Sequence, residues 1–201
     1  MNKNVSKSER AKRILAAAEA LFLKHGYSGT SLQMLIEQAG GSRRTIYAEF
    51  GNKEGLFKAV VQQKTSDMVL ILSELGDIHD PKSSLIKVCH AFLTTILKPD
   101  MLALFKLMLN TLPHIPDLGD TVYQDSMVRG PEALANYLEQ LNHTGLAKID
   151  NPFDASQLLL GMVKGQLHIH CLLDPSFIPT KQQIDQQVKQ AVNIFLNGVL
   201  K

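Results

Sequence analysis

The chain has 201 residues, 45% of them hydrophobic, with 21 Lys or Arg against 19 Asp or Glu and a formal net charge of +2. That is ample apolar material for a packed core in one or two domains, and it excludes a weakly hydrophobic, highly charged disordered polymer. Two widely separated cysteines, Cys89 and Cys171, give no disulfide framework; no apolar run is long enough for a membrane span, and no apolar stretch follows the polar opening MNKNVSKSERAKR, so the expectation is a soluble cytoplasmic chain with no membrane partner.

In chain order, Ser6 and Glu9 have capping-box spacing for a first helix, whose Ile14, Leu15, Ala18, Leu21 and Phe22 form an apolar stripe ending near Gly26. Thr30 and Gln33 repeat that spacing before a second helix with Leu32, Leu35, Ile36 and Ala39 on one face. Gly40 and Gly41 stop it, and Ser42 is a good N-cap for a third helix. There Ile46 and Phe50 point inward, one turn apart, while Arg43, Arg44, Tyr47 and Ala48 fall mostly on other faces. Ser42, Arg43 and Arg44 thus occupy a first helical turn, where free amides and the positive end of the helix dipole favour an anion. A second such end follows, with Asn52 as cap and Lys53 just inside.

A fourth helix is expected from Lys53 to about Leu75, closed by Gly76, bridging a small head to a larger body; Asp80-Pro81 offers a cap and a first-turn proline for a fifth. Breaks at Pro99, at Pro113 to Pro116, at Gly130-Pro131, at Asn151-Pro152 and at Asp174 to Pro179 divide the body into about five more. No segment reads as a strand, and there is no internal repeat. The expected fold is all-α with about nine helices: a three-helix helix-turn-helix DNA-binding domain over residues 1–55 and a helical domain over 56–201. Two short helices joined by a glycine turn, with adjacent arginines opening the second, are how a helix-turn-helix presents charge to DNA.

The charge distribution agrees. Residues 1–60 carry ten of the lysines and arginines and only five acids, whereas the remainder is net acidic. Positive charge gathered at one end suits a polyanionic partner, and an acidic remainder discourages nucleic acid from wrapping the whole molecule.

The wording of this segment is more specific than its periodicity. From Arg13 to Val60, through ILAAAEALFLKHGYSGTS and IEQAGGSRRTIYAEFGNKEGLF, the chain resembles the N-terminal domain of the tetracycline-repressor (TetR) family of bacterial regulators. The resemblance rests on His25-Gly26-Tyr27 ending helix one, the Thr30-Ser31 pair opening helix two, the AG-x-S turn, Tyr47 and Phe50 in the recognition helix, and Asn52-Lys53-Glu54 opening helix four. It implies double-stranded DNA as partner, with Thr30, Ser31, Ser42, Tyr47 and Lys53 toward phosphates and Arg43, Arg44, Thr45 and Ala48 toward base edges. Chemistry supports that division: an arginine fork can engage guanine O6 and N7 together, whereas an ammonium or phenol on phosphate positions without reading sequence. Three positions depart from the family pattern. Gly41 replaces a common valine, Arg43-Arg44 replaces a common basic residue followed by glycine, and Glu49 stands where histidine is frequent.

The segment LFKLMLNTLPHIPDLGDTVYQDSMVRGPEALANYLEQ is similar to the body of the AefR-like subgroup, more loosely. The resemblance implies a homodimer built on the last two helices, for which Leu159, Val163, Leu167, Val188, Val192 and Phe195 are interface candidates. It also implies a small, hydrophobic effector that releases the protein from a pseudo-palindromic operator. Pocket candidates are Phe92, Phe105, Met108, Tyr123, Met127 and Met162, apolar and adaptable, with His114 and His168 as polar ones.

The alternatives are a helix-turn-helix module without ligand control, architectural or partner-binding, and a metal-binding enzyme using His168 and Cys171. Against the latter, His168 pairs with Cys171 on one helix face and His170 with Asp174 on another, so the four cannot close one tetrahedron. There is no G-x-S-x-G, phosphate-binding glycine loop or H-E-x-x-H, and no catalysis, cofactor or metal is expected.

Overall fold

The computed structural model describes residues 2–40 and 42–200; Gly41 and the side chains of residues 2–8 and Asp125, and with them the Ser6 cap, lie outside the described residues. Among the described residues there are ten α-helices: α1 (Asn2–Gly29), α2 (Leu32–Ala39), α3 (Arg43–Phe50), α4 (Lys53–Ser73), α5 (Pro81–Ile96), α6 (Pro99–Thr111), α7 (Leu118–Tyr123), α8 (Gly130–His143), α9 (Pro152–Leu173) and α10 (Lys181–Val199). The segment between the expected breaks at Pro113 to Pro116 and at Gly130-Pro131 holds α7, which is six residues long. A single antiparallel bridge, Ala147 with Leu200, is the extended pairing found among the described residues.

The chain divides into two compact units. The first runs to Lys64 and includes Ala103–Val122; the second is Thr65–Leu102 with Tyr123–Lys201. The first unit therefore extends past residue 55, because its core is closed by Leu56, Phe57, Val60 and Val61 of α4 and by Leu104 and Met108 of α6, all buried. Against them lie Ile14, Ala18, Leu21 and Phe22 of α1, Leu35 of α2 and Ile46 of α3. Phe22 meets Phe57 edge-on at 5.1 Å and Tyr27 meets Phe57 at 5.2 Å, contacts worth about 0.5–1.5 kcal/mol each beyond area burial. Gly26 ends the regular part of α1 at φ +72, a backbone conformation that side chains resist.

The second unit is built on buried stripes of α5, α8, α9 and α10, with Leu93, Leu138, Val163 and Val192 each fully or almost fully buried. The expected cap forms at Asp80, which accepts from the Ser83 amide at 3.1 Å ahead of Pro81; at the expected break before Pro152, Asn151 accepts from the Phe153 and Asp154 amides and caps α9. Thr180 and Gln183 make a reciprocal capping box for α10.

Gly130-Pro131 does not break the helix as expected. The chain passes from α7 through a π-helical segment, Gln124–Arg129, into α8 with Gly130 still helical. The wider π register gives the proline ring room, and the carbonyl it deprives of a donor, Met127 O, takes the Gln157 side-chain amide at 3.0 Å instead. A similar repair occurs in α9, which kinks at Gly165 (φ +45, ψ −146), where Gln187 of α10 donates to Met162 O at 2.6 Å.

Candidate nucleic-acid interface

The recognition helix α3 is fixed at both ends by its own sequence. Ser42, extended at φ −126, accepts from the Thr45 amide at 3.2 Å and pairs with the Thr45 hydroxyl at 3.1 Å. Gly51, at φ +76, ends the helix by donating its N–H to Tyr47 O at 2.9 Å. Ile46 is 1% exposed and pins the inner face to the core. Ser42, Arg43, Arg44 and Ala48 are exposed, Tyr47 is 45% exposed, and Thr45 and Phe50 are half-buried. The candidate base- and phosphate-contacting residues at this helix are thus exposed apart from Thr45, while Ile46 anchors the helix in the core. Glu49 is half-buried and has an interaction partner of its own.

Two other candidates are placed differently from expectation. Thr30 does not cap α2. Its side chain is buried, and its hydroxyl donates to Gly26 O at 2.8 Å and Leu21 O at 3.1 Å, which ties the end of α1 to the start of α2 and withholds that hydroxyl from a phosphate. Ser31, exposed and extended at φ −100, is the cap, accepting from the Met34 amide at 3.2 Å. Gln33 reaches forward to Glu37 rather than back to a cap. Lys53 is half-buried; its ammonium donates to Tyr27 O at 3.0 Å and Thr30 O at 3.1 Å and lies 4.5 Å from the Tyr27 ring centre. It therefore closes the turn after α1 and has at most one N–H left for a phosphate. Asn52 caps α4 as expected, accepting from the Gly55 amide at 2.8 Å. Tyr27 itself has its phenol pushed above the usual range by burial and by nearby Glu54.

The body candidates divide between the two units. Phe105 and Met108 pack in the core of the first unit, and His114 is exposed there. In the second unit Phe92 is buried, Met162 packs against the core, and Tyr123 and Met127 are exposed. Lys164 and His168, one turn apart on α9, are both held below their usual pKa by burial, His168 also by the neighbouring Lys164 charge. Among the described residues no three His, Cys, Asp or Glu side chains are grouped to hold a metal. Cys171 is buried, His170 stacks on Phe177 at 3.6 Å, and the Asp174 carboxylate takes the amide and hydroxyl of Ser176.

The dimer candidates lie in or against the core of the second unit. Leu159, Val163, Val188, Val192 and Phe195 are buried within the chain's own core, and Leu167 is half-buried against it. The same helices instead expose Leu158 (68%), Ile169, Leu173 and Ile194 (64%). The signal was present in the sequence, since α9 carries apolar residues on more than one face, but periodicity does not say which face turns inward.

This geometry can be compared with known proteins. Residues 14–60 match the family model of bacterial regulatory proteins of the tetR family, and residues 83–198 match that of the AefR-like transcriptional repressor C-terminal domain. The chain is 25% identical over 202 residues to the HTH-type transcriptional regulator YvkB of Bacillus subtilis, covering 94% of this chain and 96% of YvkB. In fold it is similar to a protein of Mesorhizobium loti described as a TetR-family transcriptional regulator (TM-score 0.85, 24% identity, 97% and 98% of the two chains). It is also similar in fold to the flavonoid-responsive regulator FrrA (TM-score 0.80, 24% identity, 96% and 98%). A basic, capped recognition helix followed by an AefR-like body, matched over more than half of the chain, makes this protein a member of the TetR family of bacterial DNA-binding transcriptional regulators, which are not enzymes.

Proposed function

We propose that the protein is a homodimeric repressor that binds a pseudo-palindromic operator and is released from it by a small hydrophobic effector. The observation that carries the reading is α3 itself, which exposes Arg43, Arg44, Tyr47 and Ala48 while Ile46 is buried. A two-fold dimer supplies two such helices, and half-sites then lie about 34–36 Å apart or at a multiple of that. Leu158, Ile169, Leu173 and Ile194 are exposed apolar residues of α9 and α10, and these are the side chains that a second copy covers.

The effector reading rests on Phe92, Met162 and His168 in the second unit, and the flavonoid response of FrrA makes planar aromatic compounds the first class to test. Because α4 is one continuous helix from Lys53 to Ser73, a ligand favouring a displaced α4 biases the recognition helices. Its effect on operator affinity is bounded by its differential affinity for the two states.

The experiment is selection of genomic fragments with purified protein, followed by titration of a selected fragment with and without flavonoids. Enrichment of one palindromic sequence, weakened by ligand, supports the reading. Equal affinity for random duplex points to an architectural protein, and binding indifferent to every hydrophobic compound removes ligand control.

A further inference from the structure

Lys164 stands on α9 without a counter-charge. It is half-buried, beside the fully buried Val163 and near Met162, which packs against the core, and among the described residues no carboxylate pairs with its ammonium. The sequence supplies the reason. From Ala155 to Leu173, α9 carries Lys164, His168 and His170 and no Asp or Glu, and α5, which packs on it, has no acid either. Of the acids on its other neighbours, Glu139 of α8 is engaged by His143 at 3.1 Å, Asp185 of α10 by His90 at 2.9 Å, and Glu132 of α8 is exposed.

His168, one turn along α9, adds no second charge. Burial and the Lys164 ammonium hold its pKa below the usual value, so at neutral pH the ring is uncharged and the pair carries a single positive charge. The backbone between them is fixed by a kink at Gly165 and by Gln187 of α10, which donates to Met162 O at 2.6 Å. A cation taken partly out of water is kept at a cost unless an anion answers it, and groups perturbed in this way gather at functional sites.

We infer that Lys164 is the residue that selects the effector by charge, and that the effector is an organic acid, an apolar body bearing one carboxylate. The inference rests on the ligand-released reading above and narrows its ligand class. A neutral hydrophobic compound at this site would desolvate the ammonium further and give it nothing in return, whereas one carboxylate balances its charge and makes a charge-assisted hydrogen bond.

The test uses the full-length protein and two matched pairs of compounds, 2-naphthoate with 2-naphthamide and octanoate with octanamide. Each is measured by thermal denaturation and by release of a selected operator fragment. At least one acid should raise the wild-type Tm and release the fragment at concentrations where its amide does neither. Lys164→Met should bind that acid about 10- to 100-fold more weakly and no longer distinguish it from the amide, while Lys164→Arg should keep the distinction. Without any compound, Lys164→Met should melt about 2–4 °C above the wild type, because it removes an unanswered charge and keeps the packing.

The inference is overturned if no acid shifts Tm, if acid and amide act alike on the wild type, or if Lys164→Met keeps the preference for the acid. It is also overturned if Lys164→Met, free of ligand, melts below the wild type, since the lysine would then support the fold rather than wait for an anion. Release by an amide or a flavonoid but by no acid refutes the charge selection and leaves ligand control standing. Operator binding indifferent to acids, amides and flavonoids alike removes both.

Discussion

Replacing Lys53 with alanine tests whether this lysine is chiefly a phosphate contact or chiefly a staple of the head. The ammonium makes two hydrogen bonds, to Tyr27 O at 3.0 Å and Thr30 O at 3.1 Å, and lies 4.5 Å from the Tyr27 ring centre. Hydrogen bonds from a charged donor contribute about 1.5–3 kcal/mol each when well shielded. Lys53 is only half-buried, so water can replace part of both, and about 2 kcal/mol for the pair is the appropriate scale. The ring contact adds about 0.5 kcal/mol at such a site. For a chain of this length, each kcal/mol moves Tm by about 2–4 °C, so Lys53→Ala should melt about 5–10 °C below the wild type at equal protein concentration. The assay is thermal denaturation followed by circular dichroism, paired with operator titrations at several salt concentrations well below both melting points. A lost phosphate contact lowers the salt slope by about one per subunit, whereas a lost staple lowers Tm and leaves the slope. An unchanged Tm would refute the staple.

Gly165→Ala should cost about 2–4 kcal/mol, because φ +45 is strained for a side chain and the new Cβ would collide with the Gln187 amide and displace its bond to Met162 O. Gln187→Ala, which leaves that carbonyl unpaired without straining the backbone, should cost about 1–2 kcal/mol by urea denaturation; equal stability of both variants and wild type would refute the hinge repair. Leu158→Glu with Ile194→Glu should leave each chain folded, shift sedimentation to the monomer and weaken operator binding sharply, while a dimer that survives both would place the interface elsewhere. His168 gives a pH signature. Burial and Lys164 hold its folded pKa below the unfolded value of about 6.5, so the unfolded state binds the extra proton first and stability falls as pH drops through that value. His168→Asn should flatten that decline in denaturation midpoints between pH 7 and 5, and an unaltered pH profile would mean His168 is not its source.

What the sequence determined by itself was everything governed by neighbours a few residues apart. Ser42 capping α3, Gly40 ending α2, Asp80-Pro81 opening α5, the break at Asn151-Pro152 ahead of α9, and Ile46 as the inward residue of α3 all follow from capping chemistry and a 3.6-residue period. The basic face of α3 was legible for the same reason, since a short capped helix with one buried residue leaves its remaining side chains little choice.

Tertiary structure decided what depends on partners distant in sequence. Thr30 and Ser31 are both acceptable caps, and only the carbonyls of Leu21 and Gly26 draw Thr30 inward and leave the cap to Ser31. Lys53 looks like an open cation until the turn after α1 presents two carbonyls to it. Gly130-Pro131 reads as a break until Gln157, 30 positions from Met127, supplies the missing donor. On α9 and α10 the apolar residues exceed what one face needs. Packing against α5 and α8 buried Val163 and Val192 and left Leu158 and Ile194 outside, because a helix period names the faces and only the neighbours choose between them.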